Sequence, residues 1–376
     1  MPTPAIACLV LFGWFAGSAF GQQALSWRDL VSSFEKAVGD VVVDAAESGA
    51  ARPAGLFVPT ANDAAAAAPS KWVPLESIEN PPARLVVLVH GLDEPGDIWT
   101  NLAPAIVAAG FDIARFEYPN DQPVHPSAAL FVEHLRVARH AGVEEIAIVA
   151  HSMGGLVAFD ALTRSDGYDG DIGGGGTLPI VKLLVTVGTP WAGSPWNRLQ
   201  AVSELREQVQ RWAEGESWDL RPLLRDAGDV KGRAGEDLGE ESKLVQELRD
   251  RPTPEGLSLT IIAGRIVAPE PADWSWVEES TLLRKVLGRD SVDRLLADIA
   301  SIGGTLGDGV VPLASAQARQ SGDSVVLEAN HRGLIRATPI DFATGSGTKV
   351  PPAIPLIIER LGLAWPPPPA AEDQPD

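Results

Sequence analysis

The feature that most restricts this chain is a series of apolar runs of strand length. RLVVLVHG occupies 84–91, EEIAIVAHS 144–152 and VKLLVTVGTP 181–190. None alternates apolar with polar residues, so each reads as a strand buried on both faces. FDIARFEYP, at 111–119, is a further strand of the same series. Between the runs lie segments with helical spacing: IWTNLAPAIVAAG, closing on Gly110, then PSAALFVEHLRVARHAG and MGGLVAFDALTRS. Such alternation predicts an α/β architecture, a mostly parallel sheet with helices on both faces.

After Pro190 the alternation breaks, and two insertions are expected at 191–250 and 266–306. Between them SLTIIAGR (258–265) returns to the sheet, SVVLEA (324–329) supplies the last strand and AIPLIIERLG the closing helix. The sheet domain is thus expected over 84–363, with an N-terminal helix (26–38) and linker within 22–83 and a disordered tail at 364–376. No internal repeat is visible. A 376-residue chain that is 45% hydrophobic has material for one large core with insertions. A net charge of −20 argues against nucleic acid and against electrostatic docking on anionic lipid, and reads as a solubility surface.

Residues 5–20 form an uncharged apolar stretch, short for a membrane span and the right length for a secretory h-region. Ala19 and Gly21 suit cleavage before Gln22, with Gly17 and Ala19 a second site. No Lys or Arg precedes the stretch, which leaves an uncleaved anchor as the alternative. Residues 1–21 are read as a signal peptide and the protein as secreted or periplasmic. The single cysteine, Cys8, lies inside this segment, so the processed chain has no disulfide or thiol chemistry.

The apolar run that ends at His151-Ser152 turns at once into a small-residue helix, VAHSMGGLVAFDAL. So tight a strand-to-helix corner needs small neighbours, and Ala150, Gly154 and Gly155 provide them. It holds the Ser152 hydroxyl above the sheet edge in a strained backbone and aims the first N–H groups of the helix at the same point. A nucleophile beside an anion-stabilising backbone is what such a corner provides.

VAHSMGG resembles the nucleophile elbow of the α/β-hydrolase superfamily, with Ala150 in place of the first glycine of Gly-x-Ser-x-Gly. The resemblance implies the order serine, acid, histidine on successive loops. Of six histidines only His331, in EANHRGLI, lies downstream of Ser152. GTLGDGVVPLAS resembles the segment that carries the acid in many lipases and assigns it to Asp308. Asp323 is a weaker rival, and Glu270 and Asp273 are rivals if the second insertion folds over the site. LVHGL resembles the lipase His-Gly segment, which assigns the oxyanion-binding N–H groups to Leu92 and Met153, with the acidic pair Asp93 and Glu94 pointing to solvent. His90 and His151 are read as structural, orienting loops. VTVGTPWAGSP (185–195) resembles a segment of secreted lipases, lecithin–cholesterol-acyltransferase-like and GPI-inositol-deacylase-like proteins.

Six of the eleven tryptophans (Trp191, Trp196, Trp212, Trp218, Trp274 and Trp276) lie in the insertions, either as an acyl-chain surface or lid or as filling for small cores. No zinc-like cluster, phosphate loop or dinucleotide fingerprint is present, so no cofactor is implied, and no calcium ligand set can be matched. The resemblance implies a serine esterase or lipase acting on ester or lipid-like substrates, in transient contact with a lipid interface. An acyltransferase using the same triad and a non-catalytic binding protein are the alternatives, and the oligomeric state is left open.

Overall fold

The computed structural model describes residues 53–60, 71–92, 96–119, 122–164, 176–194, 237–265, 307–319, 322–337 and 350–366. The amphipathic helix expected at 26–38, the signal segment, the tail beyond 366, the second insertion and five of the six insertion tryptophans lie outside these residues, as do Asp93, Glu94, Glu270 and Asp273.

Eight strands form one sheet: β1 Gly55–Pro59, β2 Trp72–Pro74, β3 Arg84–Val89, β4 Ile113–Glu117, β5 Glu145–His151, β6 Ile180–Val187, β7 Ser258–Arg265 and β8 Asp323–Glu328. Their order is β2-β1-β4-β3-β5-β6-β7-β8. From β4 to β8 every pairing is parallel, while β1 runs antiparallel to both β2 and β4. The sheet therefore begins at Gly55, upstream of the boundary expected at 84. GLFVP and WVP are too short to register a period of their own, and tertiary pairing defines them as strands.

The helices are α1 Leu102–Ala108, α2 Val124–Ala141, α3 Met153–Thr163, α4 Lys243–Asp250, the short α5 Leu313–Ala316 and α6 Ala353–Ala364. The unbroken apolar runs follow from two-sided burial. In β3, Leu85, Val87 and Val89 join the core under α2, α3 and α4, whereas Val86 and Leu88 join the core under α1 and α6. In β5, Ile146, Ile148 and Ala150 face the first core and Ala147 and Val149 the second. Each full burial of a Leu, Ile, Val or Phe side chain stabilises the fold by about 2 kcal/mol. Among the described residues no helix is long and apolar enough to cross a membrane.

Part of the first expected insertion belongs to this body. Trp191 is fully buried, with its ring edge-on to Phe159 of α3 at 5.3 Å; it fills core rather than lining a surface. Arg319 is itself buried, and its guanidinium stacks on Phe159 at 4.0 Å and on Trp191 at 5.0 Å. It donates to the oxygens of Leu248, Arg249 and Arg251 and to Thr253 Oγ1 at 2.7–3.1 Å, capping the C-terminal end of α4. Burial pulls its pKa down to about 10. Arg251 in turn reaches the fully buried Asp160 of α3 at 2.7 Å.

The two ends of the segment between Ser194 and Asp237 are fastened together. Ser194 N–H donates to Leu238 O at 2.8 Å, and Ser194 forms a bridge with Gly239. Ser194 Oγ donates to Val310 O at 2.6 Å, and Ser315 Oγ accepts from Ala192 N–H at 3.0 Å.

Candidate active site

The sheet order reverses direction around β3: the chain passes from β3 to β4 on one side, then back to β5 on the other. Loops leaving the carboxyl ends of β3 and β5 diverge there, which is where open α/β sheets place their sites. Ser152 follows β5 at this point. Its φ of 53° and ψ of −128° lie outside the ordinary regions, and it is the one non-glycine residue with positive φ among those described. Such a conformation costs on the order of 1–3 kcal/mol and is held by its surroundings. Ser152 N–H donates to Val187 O at 2.8 Å, and Thr189 Oγ1 donates to Ser152 O at 3.0 Å. The small residues of the corner are there for contact: a Cβ on Gly154 would overlap the carbonyl oxygens of Val89 and His90, and one on Gly155 would overlap the Thr189 side chain.

These contacts also bring the loop after β3 against the start of α3. Leu92, partly buried, packs on the same core as Met153, the first residue of α3. The first N–H groups of a helix have no partner within it, and Met153 N–H is one of these. Tyr118 stacks on His90 at 4.3 Å and donates its hydroxyl to His90 O at 2.6 Å, which fixes the course of this loop.

Asp308 and His331 meet beside the corner. His331 Nδ1 lies 2.7 Å from Asp308 Oδ2, and His331 N–H donates to Asp308 O at 2.9 Å. Asp308 Oδ1 accepts from Val310 N–H at 3.0 Å and Val311 N–H at 2.7 Å. Both residues are nearly inaccessible, Asp308 at 1% and His331 at 7%. Gly188, with φ of +61°, lies directly against them: a Cβ there would stand 3.0 Å from the His331 ring and 3.1 Å from Asp308 Oδ2. The rival Asp323 opens β8 and pairs instead with Arg360 on the surface.

A serine at a strained strand-to-helix corner, backbone donors beside it and a carboxylate-held imidazole at the same edge make up the arrangement. The sheet order, the corner and this pair decide the architecture. The chain has the α/β-hydrolase fold.

No family model matches the chain. The glycine cleavage system H protein of Nostoc punctiforme is 28% identical over 125 residues, 31% of this chain and 87% of that protein, too short a share to span the hydrolase sheet. Among solved structures, lipase BlEst2 of Bacillus licheniformis in its mature form is 18% identical, covering 75% of this chain and 92% of its own with a TM-score of 0.42. Lipase 1 of Pelosinus fermentans is 13% identical, covering 75% and 99% with a TM-score of 0.45. Phospholipase PlaB of Legionella pneumophila is 15% identical with a TM-score of 0.45, over 74% of this chain and 59% of that one. Likenesses this distant say nothing of chemistry, and the hydrolase fold is assigned on the sheet order and the corner.

Several residues of the site escaped the sequence reading. Gly188 and Thr189 lie inside VTVGTPWAGSP, but their contacts with His331, Asp308 and Ser152 join positions far apart in the chain.

Proposed function

We infer that the protein is a carboxylic ester hydrolase that works through an acyl-enzyme on Ser152. The observation that carries this reading is the buried Asp308–His331 pair, 2.7 Å apart, beside a serine in a strained backbone. Ser152 Oγ attacks the ester carbonyl carbon while His331 Nε2 takes its proton, and Asp308 holds the imidazolium that forms. The carbonyl oxygen becomes an oxyanion received by the N–H groups of Met153 and Leu92, each worth about 3 kcal/mol of transition-state stabilisation. The tetrahedral intermediate expels the alcohol, which leaves with the proton from His331. Water, deprotonated by the same imidazole, then releases the acid and restores Ser152.

The preferred substrates are lipid-like esters, a reading supported by the resemblance of VTVGTPWAGSP to secreted lipases. Export of the protein is supported by the uncharged apolar stretch at residues 5–20, and N-terminal sequencing of material recovered outside the cytoplasm tests it.

The deciding experiment is hydrolysis of p-nitrophenyl esters from acetate to palmitate by the processed protein beside Ser152→Ala. The reading expects serine-dependent turnover with an optimum at the longer chains, and labelling of Ser152 by a fluorophosphonate. Absence of both turnover and labelling overturns it, and turnover confined to acetate overturns the lipid preference alone.

A further inference from the structure

His151 closes β5 and immediately precedes Ser152, yet the reaction above uses no atom of its side chain. The imidazole is fully buried. Its Nε2 lies 3.0 Å from the backbone oxygen of His331. A carbonyl only accepts, so this nitrogen carries the proton and donates. The two rings stand 4.6 Å apart, tilted by 51°.

His331 is thereby held from three directions. Its N–H and its Nδ1 go to Asp308, which is reached only after the long segment that follows β7. Its carbonyl goes to His151, which is anchored in the middle of the sheet: β5 pairs with β3 on one side and with β6 on the other, the latter pairing reaching His151 itself. The bonds to Asp308 orient the imidazole, whereas the bond to His151 locates it relative to the strand that carries the serine.

We propose that His151 is a positioning residue for acyl transfer: its Nε2–H, bonded to the His331 carbonyl, sets the separation between the His331 imidazole and Ser152. The proposal rests on the acyl-transfer reading given above. Proton transfer from the serine needs a heavy-atom approach of about 3 Å, and a displacement on the order of 1 Å costs up to about 100-fold. With Asp308 still orienting the ring, loss of the His151 donor is expected to lower kcat about 10- to 30-fold and leave KM within about 2-fold.

The test compares His151→Phe, which keeps a ring without the donor, His151→Gln, whose amide nitrogen reaches the same carbonyl, and His151→Asn, whose amide is one methylene too short. Steady-state kcat and KM on a p-nitrophenyl ester, the rate of fluorophosphonate labelling and Tm are measured for each. The proposal expects Phe and Asn to lose kcat and labelling rate in parallel, and Gln to recover kcat to within about 3-fold of wild type. A folded Phe variant with wild-type kcat overturns it. If the Phe variant does not fold, equal activity of the Gln and Asn variants overturns it. A loss confined to Tm or to KM also overturns it, since that marks packing or binding. Wild-type protein without serine-dependent turnover is a separate outcome and refutes the acyl-transfer reading itself.

Discussion

Replacing Asp308 by Asn changes one atom and tests what the carboxylate does. Oδ1 accepts two backbone N–H groups, from Val310 and Val311, and Oδ2 faces His331 Nδ1. An Asn at this position has two orientations. Turning its NH2 toward Val310 and Val311 sets donor against donor and leaves two N–H groups unpaired, the buried one of Val311 at about 1–3 kcal/mol and the partly buried one of Val310 at less. The amide therefore keeps its oxygen on those N–H groups and points its NH2 at His331 Nδ1. Nδ1 must then accept, the ring proton moves to Nε2, and the nitrogen that should take the serine proton is occupied. The imidazolium also loses its counter-charge. Wrong tautomers of this kind cost about 10⁴ in kcat, or about 5 kcal/mol of transition-state stabilisation. Stability falls much less, by about 2 kcal/mol, because charge-assisted hydrogen bonds become neutral ones while the shape is kept. Measuring kcat on a p-nitrophenyl ester and a urea unfolding curve on the same preparation separates the two effects. A folded Asp308→Asn enzyme within 10-fold of wild type in kcat refutes the reasoning.

Other outcomes follow from the same geometry. Ser152→Gly removes the nucleophile and abolishes turnover, while relieving the positive-φ backbone raises stability by about 1 kcal/mol, read as a higher urea midpoint; an unchanged or lower midpoint contradicts the strain. Arg319→Met strands the carbonyls at the end of α4 and unpacks Phe159 and Trp191, lowering unfolding free energy by about 3–5 kcal/mol in denaturant titration, whereas a loss under 1 kcal/mol assigns the guanidinium a passive role. The hydrogen bond from Arg251 holds the exposed Glu247 carboxyl below its ordinary value of 4.5. Its contribution is complete above that value and disappears as pH falls through the lowered one. Wild type and Glu247→Gln should therefore differ slightly in Tm at pH 6, less so in high salt, and converge in acid; a difference that persists in acid denies the ion pair.

The buried strands and their helices were legible because two-sided burial leaves an unbroken apolar run that ends in a turn, as in RLVVLVHG and EEIAIVAHS. The candidate triad was legible for another reason. Ser152 stands among small residues that only a tight corner demands, Asp308 between two glycines, and His331 alone among the histidines follows the serine. What escaped was decided by tertiary contact. β1 and β2 are five and three residues long and exist as strands through their pairing with each other and with β4. Trp191 and Arg319 lie 128 positions apart, and nothing local marks either as half of an aromatic–guanidinium stack. For His151 the sequence suggests a loop-orienting role, but that the loop it holds is the one carrying His331 is decided by tertiary contact.

The joined neck at Ser194 and Leu238 has a consequence for how such a protein changes over generations. Once the ends of a segment are closed by the body of the protein, its length enters the stability of the whole only logarithmically, about 0.6 kcal/mol for each doubling. Ser194 makes that closure with its own backbone and hydroxyl, and its partners Leu238, Gly239 and Val310 all lie outside the enclosed segment. What fastens these ends to the sheet domain is therefore carried by Ser194, Leu238, Gly239 and Val310 themselves, and a change of length elsewhere enters their closure only through that logarithm.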